Sequence, residues 1–404
     1  MAVEIRLGLR ENAEQFALLV GVNVLVGAMV GLERSVLPLA GKSDFGLGST
    51  SAVLSFIAGF GAAKALANLV AGRLADRHGR RPVLAAGWAL ALPVPILIGL
   101  APSWTVVVAA NVLLGASQGL AWSMTVLMKI DLVGPRRRGL ALGLNESGGY
   151  LGVAAAAALT GWTASALGAR TVVWTGGAVL AVVGLAVTLA LVRETAAHVQ
   201  LEQAGARSTR GSTVVLAACS QAGFVNNLND ALAWGLAPIY LAAHGRSSGQ
   251  IGLVAGVYPA VWGAGQLGTG PLSDRFGRTA PIVSGMLVQA AALAVLLTSA
   301  AQVNALTAAA LLGLGTALVY PTLIAAVSDE VEPLGRARAV AVYRFWRDAG
   351  LVGGAILVGL SSDALGAGSA IGLVAALTGL SGLFYLGAVR RALTTGGRNA
   401  WQLT

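Results

Sequence analysis

The chain has 404 residues, 56% of them hydrophobic and only 11% charged, with a formal net charge of +10 and a mean hydropathy of +0.76. Soluble domains carry about 25% charged residues, so this composition excludes an ordinary soluble fold. The single cysteine, Cys219, excludes an intramolecular disulfide and a cysteine zinc cluster. The histidines His78, His198 and His244 fall in expected loops, so no metal site is expected and no cofactor is implied.

A membrane helix needs about 20 mostly apolar residues. Along the chain the apolar runs fall at 14–40, 48–72, 82–100, 104–128, 139–166, 171–192, 213–242, 249–272, 280–299, 304–328, 339–362 and 369–389. The fold class is therefore all-α membrane protein with twelve transmembrane helices. The first run is too long for a signal peptide and lacks a clear cleavage site, so it reads as the first membrane helix. The long polar stretch at 193–212 divides the chain into a six-helix half at 1–192, a linker, and a second half with a short tail at 213–404. The 55 glycines suit close helix approach in lipid.

Of the 27 Lys and Arg, 20 fall in the N-terminus, the loops after even-numbered helices and the C-terminal tail. Only Lys42, Arg170 and Arg246 fall on the other side. Excess Lys and Arg mark cytoplasmic loops. Both termini and the linker are thus expected in the cytoplasm, and the basic charge needs no nucleic-acid partner. A bacterial inner membrane is the expected location, with lipids as neighbours and the chain as a monomer.

The halves resemble each other. The run Gly72 to Arg80 (GRLADRHGR) recurs as Gly270 to Arg278 (GPLSDRFGR) at an offset of 198 residues. At the same offset Asp131 maps to Asp329 and Pro135 to Pro333, and Pro38 maps to Pro238 at an offset of 200. Two parallel six-helix repeats are a transporter architecture with the binding site between the halves near the midplane.

These residues carry a resemblance to the major facilitator superfamily. Its signature between the second and third helices, G-x-L-[AS]-D-R-x-G-R-[KR], is matched nearly completely by residues 72–81 and well by the second copy. The resemblance covers essentially the whole chain. It implies a fold in which the first, fourth, seventh and tenth helices line a cavity. It also implies a cytoplasmic gate built from Gly72, Asp76, Arg77, Gly79, Arg80 and Asp131, with Asp274, Arg275 and Arg278 in the second copy. Two family features are missing. Gly115 stands where an arginine often precedes the pair Gln118-Gly119, and the fifth helix has Gly143, Gly148, Gly149 and Gly152 but no proline. Both departures weaken the drug–proton antiporter branch.

Ionisable residues at membrane depth suggest function by default. Glu33, Arg34, Lys64, Glu146, Asp230, Arg344, Arg347 and Asp348 lie within the expected spans. At about 1.5 Å per residue, Lys64, Glu146 and Asp348 sit roughly 12–15 Å from the cytoplasmic ends. Arg344 is shallower and can snorkel, or pair with Asp348 four residues on. A Glu146–Arg347 pair joining the fifth and eleventh helices is as plausible as a coupling site. In the seventh helix Asn226, Asn227, Asn229 and Asp230 form a polar stripe, which either handles substrate or protons or ties helices together. Gln118, Trp122 and Tyr320 are expected to face the cavity, whereas Trp104, Trp174 and Trp401 are expected at the membrane interfaces. The pairs Tyr258-Pro259 and Tyr320-Pro321 suggest bends.

The expected function is secondary transport of a small solute by alternating access, coupled to protons through Glu33, Glu146, Asp230 or Asp348. No Walker motif is visible. Multidrug efflux is the alternative. A non-transporting sensor on the same fold is a lesser alternative, since such proteins usually carry a soluble output domain; a membrane enzyme lacks a clustered catalytic constellation, so no enzymatic activity is expected.

Overall fold

The structure, a computed structural model, describes residues 7–134, 138–199, 212–331 and 333–395. The side chains of 138–140, 199, 270, 271, 274, 333–338, 393 and 395 also lie outside the description. Among the described residues there are only helices, turns and loops.

Among the described residues the long helices are α1 (Ala13–Ser43), α2 (Thr50–His78), α3 (Arg80–Gly99), α4 (Trp104–Val133), α5 (Arg138–Leu167) and α6 (Ala169–Ala190) in the first half, with a single short turn of helix, Ala196–Val199, after them. The second half holds α7 (213–243), α8 (Ser248–Phe276), α9 (Thr279–Thr298), α10 (Gln302–Asp329), α11 (Pro333–Leu365) and α12 (Ala367–Thr395). Ten of these, all but α7 and α8, are both long and apolar enough to cross a membrane. The two that fall short in hydropathy are long enough to cross. Their polarity comes from Gln221, Asn226, Asn227, Asn229 and Asp230 in α7, and from Gln250, Gln266 and repeated glycines in α8.

Three helices break where proline dictates. α1 pauses at Ser35 and Val36 before Pro38 restarts it, and α3 pauses at Leu92 before Pro93. In α7 a π turn, Leu232–Leu236, precedes Pro238. Proline has no N–H to donate to the preceding turn, and π turns recur at functional sites. Pro321, by contrast, sits inside the continuous helix α10. The N-termini of α2, α7 and α8 are capped by Ser49, Ser212 and Ser247, whose side chains accept backbone N–H bonds. Gly79 and Gly277 end α2 and α8 at φ +91° and +76°. That left-handed backbone explains why the loop motif carries glycine there in both copies.

The halves meet along two seams, α5 with α8 and α2 with α11. Both are tight at the end of the bundle far from the chain termini. Gly161 and Gly252 approach so closely that a Cβ on Gly161 would lie 2.4 Å from the Gly252 Cα. Gly359 sits similarly against Ser51, and the Asp363 carboxylate accepts the backbone N–H groups of Thr50 (2.5 Å) and Ser51 (3.0 Å) and the Ser51 hydroxyl. On α2 the seam face continues through Gly61, against Leu351 and Val352, to Asn68, against Asp348. One turn further on, a Cβ at Gly72 would meet no atom within 4 Å. The α5 face behaves alike: Ser147 and Tyr150 touch Gly263, whereas a Cβ at Gly143 would meet nothing. Among the described residues the halves are therefore in close contact at the far end and less closely packed at Gly72 and Gly143.

Two expectations from the sequence are corrected. Trp104 is not an interfacial anchor. It is buried, its Nε1 donates to the Ala52 carbonyl (2.9 Å), and its rings pack edge-on against Phe45 and Phe56. Lys129 is not a loop charge. α4 runs on to Val133, so Lys129 is carried inside the helix and fully buried. Trp174 is partly exposed, in keeping with an interfacial place; Trp401 lies outside the described residues.

Candidate functional site

Two regions concentrate polar chemistry. The first is the loop motif. Arg80 Nε lies 3.2 Å from the Asp131 carboxylate, and its Nη1 donates to the Ala75 carbonyl at the end of α2. Asp76, largely exposed, stands 3.5 Å from Arg80. Asp131 also accepts the Thr195 hydroxyl at 2.8 Å. Glu194 accepts the backbone N–H groups of Arg80 and Arg81, both at 3.0 Å, and of Thr195 and Ala196. Partial burial opposes its charge, but these four donors win and hold its carboxyl below the ordinary glutamate value. The first segment after α6 is thereby knotted onto the start of α3. In the second copy Arg278 bonds Asp329 at 2.9 Å and Ser273 at 2.7 Å. Arg77 and Arg275 are exposed, and Asp274 lies outside the described side chains.

The second region lies at mid-depth between the halves. Its centre is Glu146 on α5. Trp122 Nε1 donates to one carboxylate oxygen (2.9 Å) and the Tyr320 hydroxyl to the other (3.2 Å). Trp122 and Tyr320 are equivalent positions of the two halves, 198 residues apart. Glu146 thus sits where the repeat converges, tied to both halves at once. Asn145 donates to the same carboxylate at 3.2 Å and accepts the ammonium of Lys129 at 2.6 Å. Asn145 is fixed in turn by Asn23, which bonds its carbonyl.

Around Glu146 lies a shell of aromatic rings and cations. Tyr150 stacks on Trp262 with centroids 3.5 Å apart, and Trp122 and Tyr320 flank them. The Arg347 guanidinium lies 4.1 Å from the Tyr320 centroid and reaches the Tyr150 hydroxyl at 3.4 Å. It pairs with its neighbour Asp348 at 3.2 Å. Asp348 also accepts from Asn68 (2.5 Å) and faces Lys64 at 3.9 Å. Lys64 sits over the Trp122 and Phe60 rings, at 5.6 and 5.9 Å. Charge and π-face are interleaved in a buried site, an arrangement suited to an anion that carries a flat apolar body.

Sequence reasoning brought Lys64, Trp122, Glu146, Tyr320, Arg347 and Asp348 to this site, and the structure brings them together. Two pairings differ from expectation. Glu146 bonds Trp122, Tyr320 and Asn145 rather than Arg347, because the guanidinium is turned toward Asp348 and Tyr150. Asp348 pairs with Lys64 and Arg347, not Arg344. The α7 stripe divides. Asn226 and Asn229 are bound to Gln289 on α9, at 2.7 and 2.8 Å, inside the second half. Asp230 accepts the Tyr258 hydroxyl, and Asn227 is buried beside them. Gln118 donates to the Val26 carbonyl and joins α4 to α1. Glu33 and Arg34 are buried just before the pause in α1 at Ser35 and Val36. Asn23, Asn68, Lys129, Asn145, Tyr150, Trp262 and Gln289 were not singled out. A cleft of about 550 Å³ between α7 and α11 is lined by Leu216, Phe224, Val342 and Trp346 and does not reach these charges.

Among the described residues, long helices arranged in two halves around a buried charged site have the architecture of a membrane transporter. The Major Facilitator Superfamily family model matches residues 19–221 and 219–400, and the chain belongs to that family. It is a transporter of small solutes. Among its relatives, the 3-(3-hydroxy-phenyl)propionate transporter of Escherichia coli (strain K12) is 27% identical over 389 residues, covering 90% of this chain and 91% of that protein. The probable 4-methylmuconolactone transporter of Cupriavidus pinatubonensis (strain JMP 134 / LMG 1197) is 29% identical over 140 residues, 33% of this chain and 31% of that one. The fold matches a bacterial homolog of the human lysosomal transporter Spinster, solved inward-facing and occupied. Its TM-score is 0.77 at 17% identity, covering 96% of this chain and 99% of that one. The peptide transporter POT matches at TM-score 0.77 and 14% identity, over 94% of each chain.

Proposed function

We propose that this protein carries an aromatic carboxylate across a bacterial cytoplasmic membrane by alternating access, driven by protons, as a monomer with both termini in the cytoplasm. The observation that carries the reading is Glu146. Its carboxylate is bonded by one half through Trp122 and by the other through Tyr320, with the Lys64 and Arg347 cations and four aromatic rings around it. An ionised carboxylate accepts both bonds strongly, and protonation weakens them. Proton loading at Glu146 therefore loosens the halves and removes a negative charge that would repel a substrate carboxylate, while the rings take its apolar body. Asp348 is held by the Arg347 and Lys64 cations, Asp230 is bonded to Tyr258 within its own half, and Glu33 lies away from the shell; Glu146 is bonded from both halves and has no ion pair among the described residues, so it is the preferred coupling group. The names of the two relatives agree with a small ring-derived solute. The gate is assigned to Gly72, Asp76, Arg77, Gly79, Arg80 and Asp131, with Asp274, Arg275 and Arg278 in the second copy, at the end away from the close Gly161–Gly252 contact.

The test is uptake of 3-(3-hydroxyphenyl)propionate into proteoliposomes with an imposed proton gradient. Wild type is expected to accumulate it only with the gradient. Glu146→Gln is expected to lose gradient-driven uptake at least tenfold while keeping exchange of labelled for unlabelled solute. Gradient-independent uptake, or full coupling in Glu146→Gln, would overturn the reading.

A further inference from the structure

Arg34 is fully buried, and none of its three guanidinium nitrogens has a hydrogen-bond partner. Its surroundings are aromatic: the centroids of Phe60, Trp234 and Phe56 lie 4.6, 5.3 and 5.8 Å from the guanidinium carbon. An arginine fork that has left water without meeting an acceptor is costly, and cation–π attraction offsets only part of that cost. Its neighbour Glu33 acts on it by charge alone and makes no hydrogen bond to it. Consecutive helical side chains diverge by about 100°, and Glu33 has a buried oxygen of its own without a partner.

The cage has parts from both halves. Phe56 and Phe60 belong to α2, in the same half as Arg34, whereas Trp234 belongs to the π turn of α7. Gly235, in the same turn, lies against Ile57 and Leu54 of α2. Any movement that parts the halves at the far end draws this turn away from α2 and removes one wall of the cage. Phe60 is also shared with the central site. Its ring faces Arg34 at 4.6 Å and Lys64 at 5.9 Å, so the two cations stand no farther apart than those distances laid end to end. They differ in one respect: Lys64 has a carboxylate, Asp348, at 3.9 Å, whereas among the described residues no carboxylate lies within ion-pair distance of Arg34, and Glu33 and Asp230 act on it only from farther off.

We infer that Arg34 is a second carboxylate-binding station, on the far side of Phe60 from the central site, covered here by Trp234 and uncovered when the far end opens. This rests on the proposal of an aromatic carboxylate as solute and adds where that solute is first held. The guanidinium fork offers paired N–H donors to the carboxylate, a geometry that lysine cannot supply. The solute then passes over the Phe60 ring to Lys64 and the inner shell.

The two stations are separated by the side from which solute arrives. In right-side-out vesicles, Arg34→Gln is expected to raise the KM for 3-(3-hydroxyphenyl)propionate about tenfold, the loss expected for one charge-assisted contact. In inside-out vesicles its KM is expected to stay within about twofold of wild type, since solute from the terminus end meets Lys64 first. Lys64→Gln is expected to raise both, and Arg34→Lys to restore only part of the right-side-out loss. An Arg34→Gln effect equal from both sides, or none from the far side, would overturn the inference. A second measurement needs neither transport nor a variant. Wild type in right-side-out vesicles is treated with 4-hydroxyphenylglyoxal, and the Arg34 adduct is read by peptide mass spectrometry. An adduct suppressed by 3-phenylpropionate supports the station; no adduct, or one indifferent to the carboxylate, refutes it. Wild type that moves none of the solute would refute the proposed substrate, while the adduct would still decide Arg34.

Discussion

The two copies of the loop motif share one arginine–aspartate pair and differ in what surrounds it. Arg80 and Asp131 are about one-tenth exposed, whereas Asp329, the partner of Arg278, is 42% exposed. The first pair is enclosed by Thr195 and Glu194, which arrive from the segment after α6. Among the described contacts the second pair has Ser273, from the last turn of α8. The same sequence signal thus builds a buried knot in one half and a solvated pair in the other. Burial raises the cost of breaking a pair more than it raises the worth of making one, so the two copies should respond unequally to the same substitution.

The sharpest way to break the comparison is Arg80→Ala. It strands the Asp131 carboxylate with the Thr195 hydroxyl as its remaining partner. Removing one partner of a buried pair costs about 3–5 kcal/mol. A large fall in thermal unfolding temperature in detergent is expected, with transport reduced at least tenfold. An Arg80→Ala protein as stable as wild type would mean that the knot carries no strain and that the motif copies are equivalent.

Glu194→Gln tests whether the knot, rather than the ion pair alone, sets the first copy apart. A neutral amide keeps one acceptor oxygen but turns the other into a donor facing backbone N–H groups. Hydrogen bonds to charged groups are worth about 1.5–3 kcal/mol, so an intermediate loss of stability is expected. The sign with pH follows from the lowered carboxyl of Glu194. Its contribution is present above the unfolded-state value and is lost as pH falls through the folded one. Unfolding temperatures of wild type and Glu194→Gln should therefore differ at neutral pH and converge in acid. Parallel curves down to acid would assign the stabilisation to another group.

The fold was legible because lipid imposes long apolar runs and sorts Lys and Arg by side. The repeat was legible because Gly79 and Gly277 need a left-handed backbone and so cannot drift. The site was half legible. Charges at depth announce themselves, which is how Lys64, Glu146, Arg347 and Asp348 were found. Their partners are silent residue types. Asn68, Asn145 and Tyr150 matter through what they touch, and nothing in their spacing says so. Lys129 was hidden by a boundary: five more residues of α4 turn an apparent loop charge into a buried one. The pairing of Asp348 with Lys64 depends on the α2–α11 seam, a contact between residues nearly three hundred positions apart. Asp363 is a similar case, since its role at the tip of α2 exists only once the halves close.

The smallest expected effect is also the most discriminating for the comparison. Arg278→Ala removes the second-copy pair, in which Asp329 remains open to water. Exposed pairs contribute about 0.2–1 kcal/mol, because solvent screens the charges and hydrates whichever one is left behind. The unfolding temperature should move by a degree or two at most, and transport should stay within twofold of wild type. Salt should abolish even that difference, since an exposed pair is screened where the Arg80 pair is not. The informative result is the ratio between the two substitutions in one assay. A ratio near one would show that position in the repeat, not burial, decides what the motif does. A large ratio would place the first copy alone in control of closure at the terminus end and leave the second as its solvated echo.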